Sequence, residues 1–159
     1  MSKHLELRFV TNGMTENFEL FALFKYFRKV IIVTGYKSDL IEKRYLGNNK
    51  VVIVKNNKYL KTNMVYSLFV PKNLVKENVI VSYTDIIYRP KLIEKLKKER
   101  FSSIALSENW HEIWRNRMSE SEILNDAEDV KVNKKFIQSI GRKITNKLPK
   151  FQYMGLFKI

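Results

Sequence analysis

Cysteine is absent from the 159 residues, so neither a disulfide framework nor a thiolate metal site can be built. Histidine occurs only twice, as His4 and His111, which excludes a histidine-rich metal centre. The stretch "HEIWR" begins like a zinc-binding HExxH but lacks its second histidine. The five glycines are scattered, with no P-loop and no G-x-G anywhere, so no glycine-rich phosphate cradle is legible. There is no G-x-S-x-G elbow and no evident Ser–His–Asp set, which argues against covalent nucleophilic catalysis. No apolar run approaches the roughly 18 residues of a membrane span. The opening "MSKHLELRFVTNG" lacks the continuous apolar segment of a signal peptide, so a cytoplasmic location is expected.

Acidic residues are scarce too. Sixteen Asp and Glu face thirty Lys and Arg, a formal net charge of +14. Such a balance favours an anionic partner such as a nucleotide, a phosphorylated substrate, an acidic lipid or nucleic acid. From Lys131 to Ile159 there are eight basic residues and no acidic one. A lysine-decorated solvated face explains the same run without any partner. What the chain does have is a core: 45% hydrophobic and 13% aromatic residues, at a length that suits one domain.

Strand and helix patterns alternate. "ENFELFALFKYF" (16–27) sets Phe18, Leu20, Phe21 and Phe24 at helical spacing, with Thr15 as N-cap. "VIIVTGY" is a buried, β-branched strand, and Ser38 is expected to cap the helix 39–46. "VVIVKN" is a second strand, "TNMVYSLFV" a helix ended by Pro71, and "VIVSYTDIIY" (79–88) a third strand. "PKLIEKLKKER" is an amphipathic helix with Pro90 in its first turn, and "FSSIALS" a fourth strand. "VKVNKKFIQSI" reads as two strands around an Asn-Lys turn, and "QYMGLFKI" as a last strand. This order predicts an α/β fold with a mostly parallel sheet and helices on its faces. Ligands of such sheets bind beyond the carboxyl ends of the strands, here Thr34–Tyr36 and Thr84–Asp85.

Four groups of residues could carry chemistry. Asp85, in a polar break after an apolar strand, can hold Mg²⁺ against phosphate, or simply cap a turn. The Asn, Thr and Ser residues of "NNKYLKTNMVYSL" can read a base or sugar, or satisfy the loop and helix backbone. Trp110, Trp114 and Arg117 share a helical face that can grip a ligand, although tryptophans at this spacing also make cores. Asp126, Glu128 and Asp129 form an acidic run that reads as a solvated turn or a metal contact.

Seven segments, in this order, resemble one family: "IIVTGYKSDLIEKRY", "NNKYLKTNMVYSL", "VSYTDIIYRPKLIEKL", "NWHEIWRNR", "DAEDV", "IQSIGRK" and "QYMGLFKI". They are similar to the nucleotidyltransferases that activate sugar phosphates or phosphocholine, especially the small cytidylyltransferase-like ones. The resemblance runs from about residue 30 to 159. It implies a Rossmann-like three-layer α/β/α sheet, mostly parallel. It also implies attack by a substrate phosphate oxygen on the α-phosphorus of CTP or another NTP, with release of pyrophosphate. Asp85 then matches the Mg²⁺-binding aspartate, and with Lys143 is the catalytic candidate. Gly35, Tyr36, Thr62, Asn63 and Ser67 fall on the nucleotide side. Trp110, Arg117, Tyr153 and Gly155 fall on the acceptor side.

The family opens with a strand, a G-x-G-x-R loop and a downstream Pro-Lys pair, and it continues to a second metal aspartate. "MSKHLELRFVTNGMTENFELFALFKYFRK" contains neither the loop nor the pair, and the chain ends at "YMGLFKI". The expectation is therefore a single nucleotidyltransferase-like domain over 1–159, truncated at both ends. A homodimer or a missing partner chain would then complete it. The alternatives are a non-catalytic nucleotide-binding or assembly module of the same descent and, ranked last, a basic nucleic-acid-binding protein.

Overall fold

The computed structural model describes residues 6–10, as backbone, together with 23–75, 78–144 and 147–159. Two compact units are formed, one by residues 1–103 with 155–159 and the other by 104–154.

The run "VIIVT" forms β2 (Val30–Thr34), buried along its whole length. A continuous β-branched run is what a strand covered on both faces requires. Before it comes β1 (Glu6–Val10), parallel to β2 through Leu7–Val30 and Val10–Val33. On its other side β1 is parallel to β4 (Val79–Tyr83), and β3 (Val51–Lys55) runs parallel to β2. The chain ends on β8 (Gln152–Lys158), antiparallel to β4 with Ser82 opposite Leu156. With β5 (Ser103–Ser107), the sheet order is β3-β2-β1-β4-β8-β5.

The residue patterns show no strand before Val30, although the resemblance makes "VIIVTGY" a second strand, and β1 supplies the first. Glu6 and Arg8 interrupt the apolar run that marks β2 and β4, so the period of two is the only signal for this strand. A correction concerns β4, which stops at Tyr83 rather than Tyr88 and leaves Asp85 in the following turn. Of the helix expected over 16–27, only the end lies within the described residues. Leu23 and Phe27 are buried there, and the N–H groups of Tyr26 and Phe27 donate to the Leu23 carbonyl at 2.9 and 3.0 Å. Thr15, Phe18, Leu20 and Phe21 lie outside the described residues.

The helices α1 (Ser38–Arg44), α2 (Met64–Phe69) and α3 (Lys91–Lys98) follow β2, β3 and β4 in the chain. Ile93 and Leu96 form the buried stripe of α3, three residues apart among lysines.

In the second unit α4 (Trp110–Arg115) and α5 (Glu120–Asp126) precede a hairpin, β6 (Glu128–Asn133) and β7 (Phe136–Lys143). The expected Asn-Lys turn is present, with Lys134 in the left-handed region at φ 54°. The core here is Trp110, Ile123 and Ala127, with Trp114, Met118, Ile144 and Leu148 packed against it. A capping box starts α5: Ser119 Oγ accepts from the Glu122 N–H, and the Glu122 carboxylate accepts from the Ser119 N–H at 2.8 Å.

Candidate functional site

The carboxyl ends of the parallel strands are built differently from one another. At the end of β2 the chain passes through Gly35, Tyr36 and Lys37 before α1 begins. Gly35 is buried, and a Cβ there would lie 2.7 Å from both Cβ and Cγ of Tyr59. Only glycine lets the strand end approach the Tyr59 ring so closely. Tyr36 is turned outward, 56% exposed, with the Lys37 ammonium 5.3 Å from its ring centroid. Lys37 takes φ 50°, which turns the chain sharply into the helix. The expected Ser38 cap is not made. Ser38 is the first helical residue, buried, and its hydroxyl has no hydrogen-bond partner; the same holds for Thr34 Oγ1.

At the end of β3 stands Asn56, 2% exposed. Its amide donates to Ser67 Oγ at 2.9 Å and to Thr62 Oγ1 at 3.0 Å, and its oxygen accepts from the Lys58 N–H at 2.9 Å. Its own N–H donates to the Thr34 carbonyl at 2.8 Å, which ties the end of β3 to the end of β2. Thr62 Oγ1 donates in turn to the Lys58 carbonyl, and Ser67 Oγ to the Asn63 carbonyl. Asn63 caps α2 by accepting from the Tyr66 N–H at 3.1 Å. Thr62, Asn63 and Ser67 thus belong to one network, in which the hydroxyls and the Asn63 oxygen serve the chain itself. The sequence reading includes Asn56 in the segment 56–68, whose amides and hydroxyls read a ligand or satisfy the loop, but does not single it out. Its signal is position, a carboxamide immediately after an apolar strand.

At the end of β4 the pattern reverses. Ser82 is fully buried, donates to the Tyr83 carbonyl and accepts from the Tyr88 hydroxyl at 3.3 Å. Three residues on, Asp85 is exposed in the turn. Gly155 of β8 lies against Tyr83, where a Cβ would come within 2.7 Å of Cδ2 and 2.8 Å of Cγ, and its φ is 79°. Close approach and left-handed backbone both demand glycine there. No group of three metal-ligating side chains occurs among the described residues. A single exposed carboxylate nevertheless fits Mg²⁺, which is commonly held by one or two carboxylates together with substrate phosphates.

The second unit holds the remaining candidates. Trp110 is 2% exposed, its indole N–H donates to the Pro149 carbonyl at 3.1 Å, and its ring meets Trp114 edge-on at 5.3 Å. It is a core residue, the alternative that the sequence left open. Arg117 is exposed beyond the end of α4, its guanidinium 5.9 Å from the Trp114 ring centroid. Lys143 ends β7, exposed and opposite Glu128 in the ladder. Tyr153 is half-buried in β8. Of the acidic run, Asp126 closes α5, and Asp129 pairs with Lys131 at 3.4 Å.

No family model matches the chain. A curated relative, the CTP:phosphoglutamine cytidylyltransferase of Campylobacter jejuni, is 33% identical over 141 residues, covering 82% of this chain and 54% of the relative. The chain therefore spans about half the length of that protein. Among solved structures, the inositol-1-phosphate CTP transferase from T. maritima superposes with a TM-score of 0.71 at 17% identity, covering 100% of this chain and 72% of that one. A candidate glucose-1-phosphate thymidylyltransferase from Bacillus anthracis gives 0.69 at 12% identity, covering 97% and 70%. Both structural likenesses establish the fold. The chain is thus cytidylyltransferase-like in sequence, and its α/β fold is that of the sugar-phosphate nucleotidyltransferases.

Proposed function

We propose that this chain handles the nucleotide in a cytidylyltransferase, which transfers a cytidylyl group from CTP to a phosphorylated small molecule. The single observation that carries this reading is the 33% identity to a CTP-named cytidylyltransferase over 82% of the chain. An acceptor phosphate oxygen bonds to the α-phosphorus of CTP. The bridging α–β P–O bond breaks, and its electrons leave with pyrophosphate. Reactions of this kind depend on positioning and charge neutralisation rather than on a protein nucleophile.

Asp85 would hold Mg²⁺ against the triphosphate, and the ion supplies charge neutralisation at the phosphates. Tyr36 and the loop held by Asn56, Thr62, Asn63 and Ser67 shape the nucleotide side, with Gly35 letting that loop close on the strand end. For the acceptor, Arg117 and Lys143 are the cations offered to a phosphate, and Tyr153 and Gly155 are the β8 positions assigned to it. Trp110 acts through packing, by fixing Trp114 beneath Arg117.

A second reading, a nucleotide-binding module without turnover, is favoured by one observation. Between β1 and β2 the sequence has a single glycine, Gly13, and no G-x-G-x-R. One assay separates the two. The full chain is given CTP, Mg²⁺ and a panel of phosphorylated acceptors that includes phosphoglutamine, and pyrophosphate release is followed. Turnover abolished in Asp85→Ala supports the enzyme. CTP binding without release supports the module, and neither binding nor release with any NTP overturns both.

A further inference from the structure

The opposite end of the sheet carries a concentration of cationic groups. The segments that lead into β2 and β3, residues 24–29 and 49–50, meet at the amino ends of these strands, where the Val30 N–H donates to the Lys50 carbonyl at 2.8 Å. They line an open groove of about 470 Å³ with Phe24, Lys25, Tyr26, Phe27, Arg28, Asn49 and Lys50. That volume lies within the range of small-molecule sites. Three of the seven lining residues are cationic and none is acidic.

The use of these groups matters more than their number. The Lys50 ammonium donates to the Phe24 carbonyl at 3.2 Å, which holds it over the groove. Lys97, from α3, donates to the Tyr26 carbonyl at 3.0 Å and sits 5.5 Å from the Phe27 ring centroid. The lining Lys50 and one further cation, Lys97, are thus fixed at the groove by backbone bonds rather than by carboxylates. Lys25, Arg28 and Asn49 are exposed, and among the described residues none has an ion-pair or side-chain hydrogen-bond partner. Among the described residues, a carboxylate hydrogen-bonded at this groove is that of Glu94, which accepts from the Tyr26 hydroxyl at 3.2 Å.

We propose that this groove is a second anion site, which takes the phosphate or diphosphate group of a small molecule. It is distinct from the strand carboxyl ends, five residues or roughly 16 Å of strand away. Lys25, Arg28 and Lys50 supply charge-assisted donors, Asn49 supplies a neutral one, and Tyr26 and Phe24 form an aromatic wall. The groove's size favours a compact ligand of this kind over a polymer. A ligand here would bridge the entries of two neighbouring parallel strands and so couple its binding to the stability of the sheet.

The test is a titration of the isotopically labelled full chain with inorganic pyrophosphate, without divalent metal, followed by amide chemical shifts. The amides of Lys25, Arg28, Asn49 and Lys50 are expected to move together on one binding curve. The double variant Lys25→Ala/Arg28→Ala should weaken that curve about tenfold or more, while Asp85→Ala leaves it unchanged. Shifts confined to other residues, or equal affinity in the double variant, would overturn the proposal. The result is independent of whether the chain turns over CTP.

Discussion

Asn56 and Asp85 stand just beyond the carboxyl ends of two parallel strands of one sheet, and the chain treats them in opposite ways. Asn56 is buried, with donors and acceptor all satisfied by Thr62, Ser67 and Lys58. Asp85 is exposed, in a turn that begins where β4 stops. The difference separates two tasks that look alike in sequence, where both are polar residues following an apolar run. A buried carboxamide with every bond made is scaffolding, because an unpaired buried amide costs more than the bond contributes. An exposed carboxylate at a strand end adds little to stability, and its charge is directed outward.

The sharpest way to break this contrast is Asp85→Asn. Under the proposed function it should lower pyrophosphate release about 10²–10³-fold, while urea unfolding changes by no more than about 0.5 kcal/mol. A variant that unfolds would place Asp85 with Asn56 as scaffolding. Gly155→Ala comes next. A Cβ meets the Tyr83 ring just before the Asp85 turn, and φ 79° strains any L side chain. Destabilisation of about 3 kcal/mol is expected, read by denaturant midpoint.

Asn56→Ala should cost about 2 kcal/mol by orphaning the Lys58 N–H and removing the donor to each of the two hydroxyls. It should also loosen amide-exchange protection over residues 58–67 without a comparable direct effect on chemistry. Smallest is Ser119→Ala, about 1 kcal/mol by thermal unfolding at neutral pH. Ser119 also holds the Glu122 carboxyl below the usual carboxylate range, through its hydroxyl and its backbone N–H. With the folded value depressed, that contribution is full above the ordinary carboxylate range and is lost as pH falls through the lowered value. Ser119→Ala should therefore flatten the acid side of the stability profile. An unchanged profile would show that the box does not couple to pH.

Most of the fold was legible because its strands obey simple periodicity. "VIIVT" is continuous and β-branched, and "VKVNKKFIQSI" turns at Asn133–Lys134 as read. β1 escaped because Glu6 and Arg8 break the apolar run in a strand that lies between two others. Ser38 was misread because serine before a helix commonly caps it. Here Lys37 takes the left-handed turn instead, and the serine is buried one position later.

Within the site, Asp85 could be found by position, since a polar residue after an apolar strand is visible in sequence. Whether Thr62, Asn63 and Ser67 face a ligand or one another could not be. That depends on Asn56 folding back over eleven residues to Ser67, a tertiary fact. Trp110 and Trp114 showed the same ambiguity, and the Pro149 carbonyl together with Ile123 and Ala127 resolved Trp110 to the core.

The most direct test of the central claim is a shift map of the labelled chain with CTP and Mg²⁺. The account predicts that perturbations gather at the strand carboxyl ends, around Tyr36, residues 57–62 and Thr84–Asp85, and fall away in Asp85→Asn. Perturbations confined to the amino-end groove around Lys25, Arg28 and Lys50, unchanged in Asp85→Asn, would contradict it.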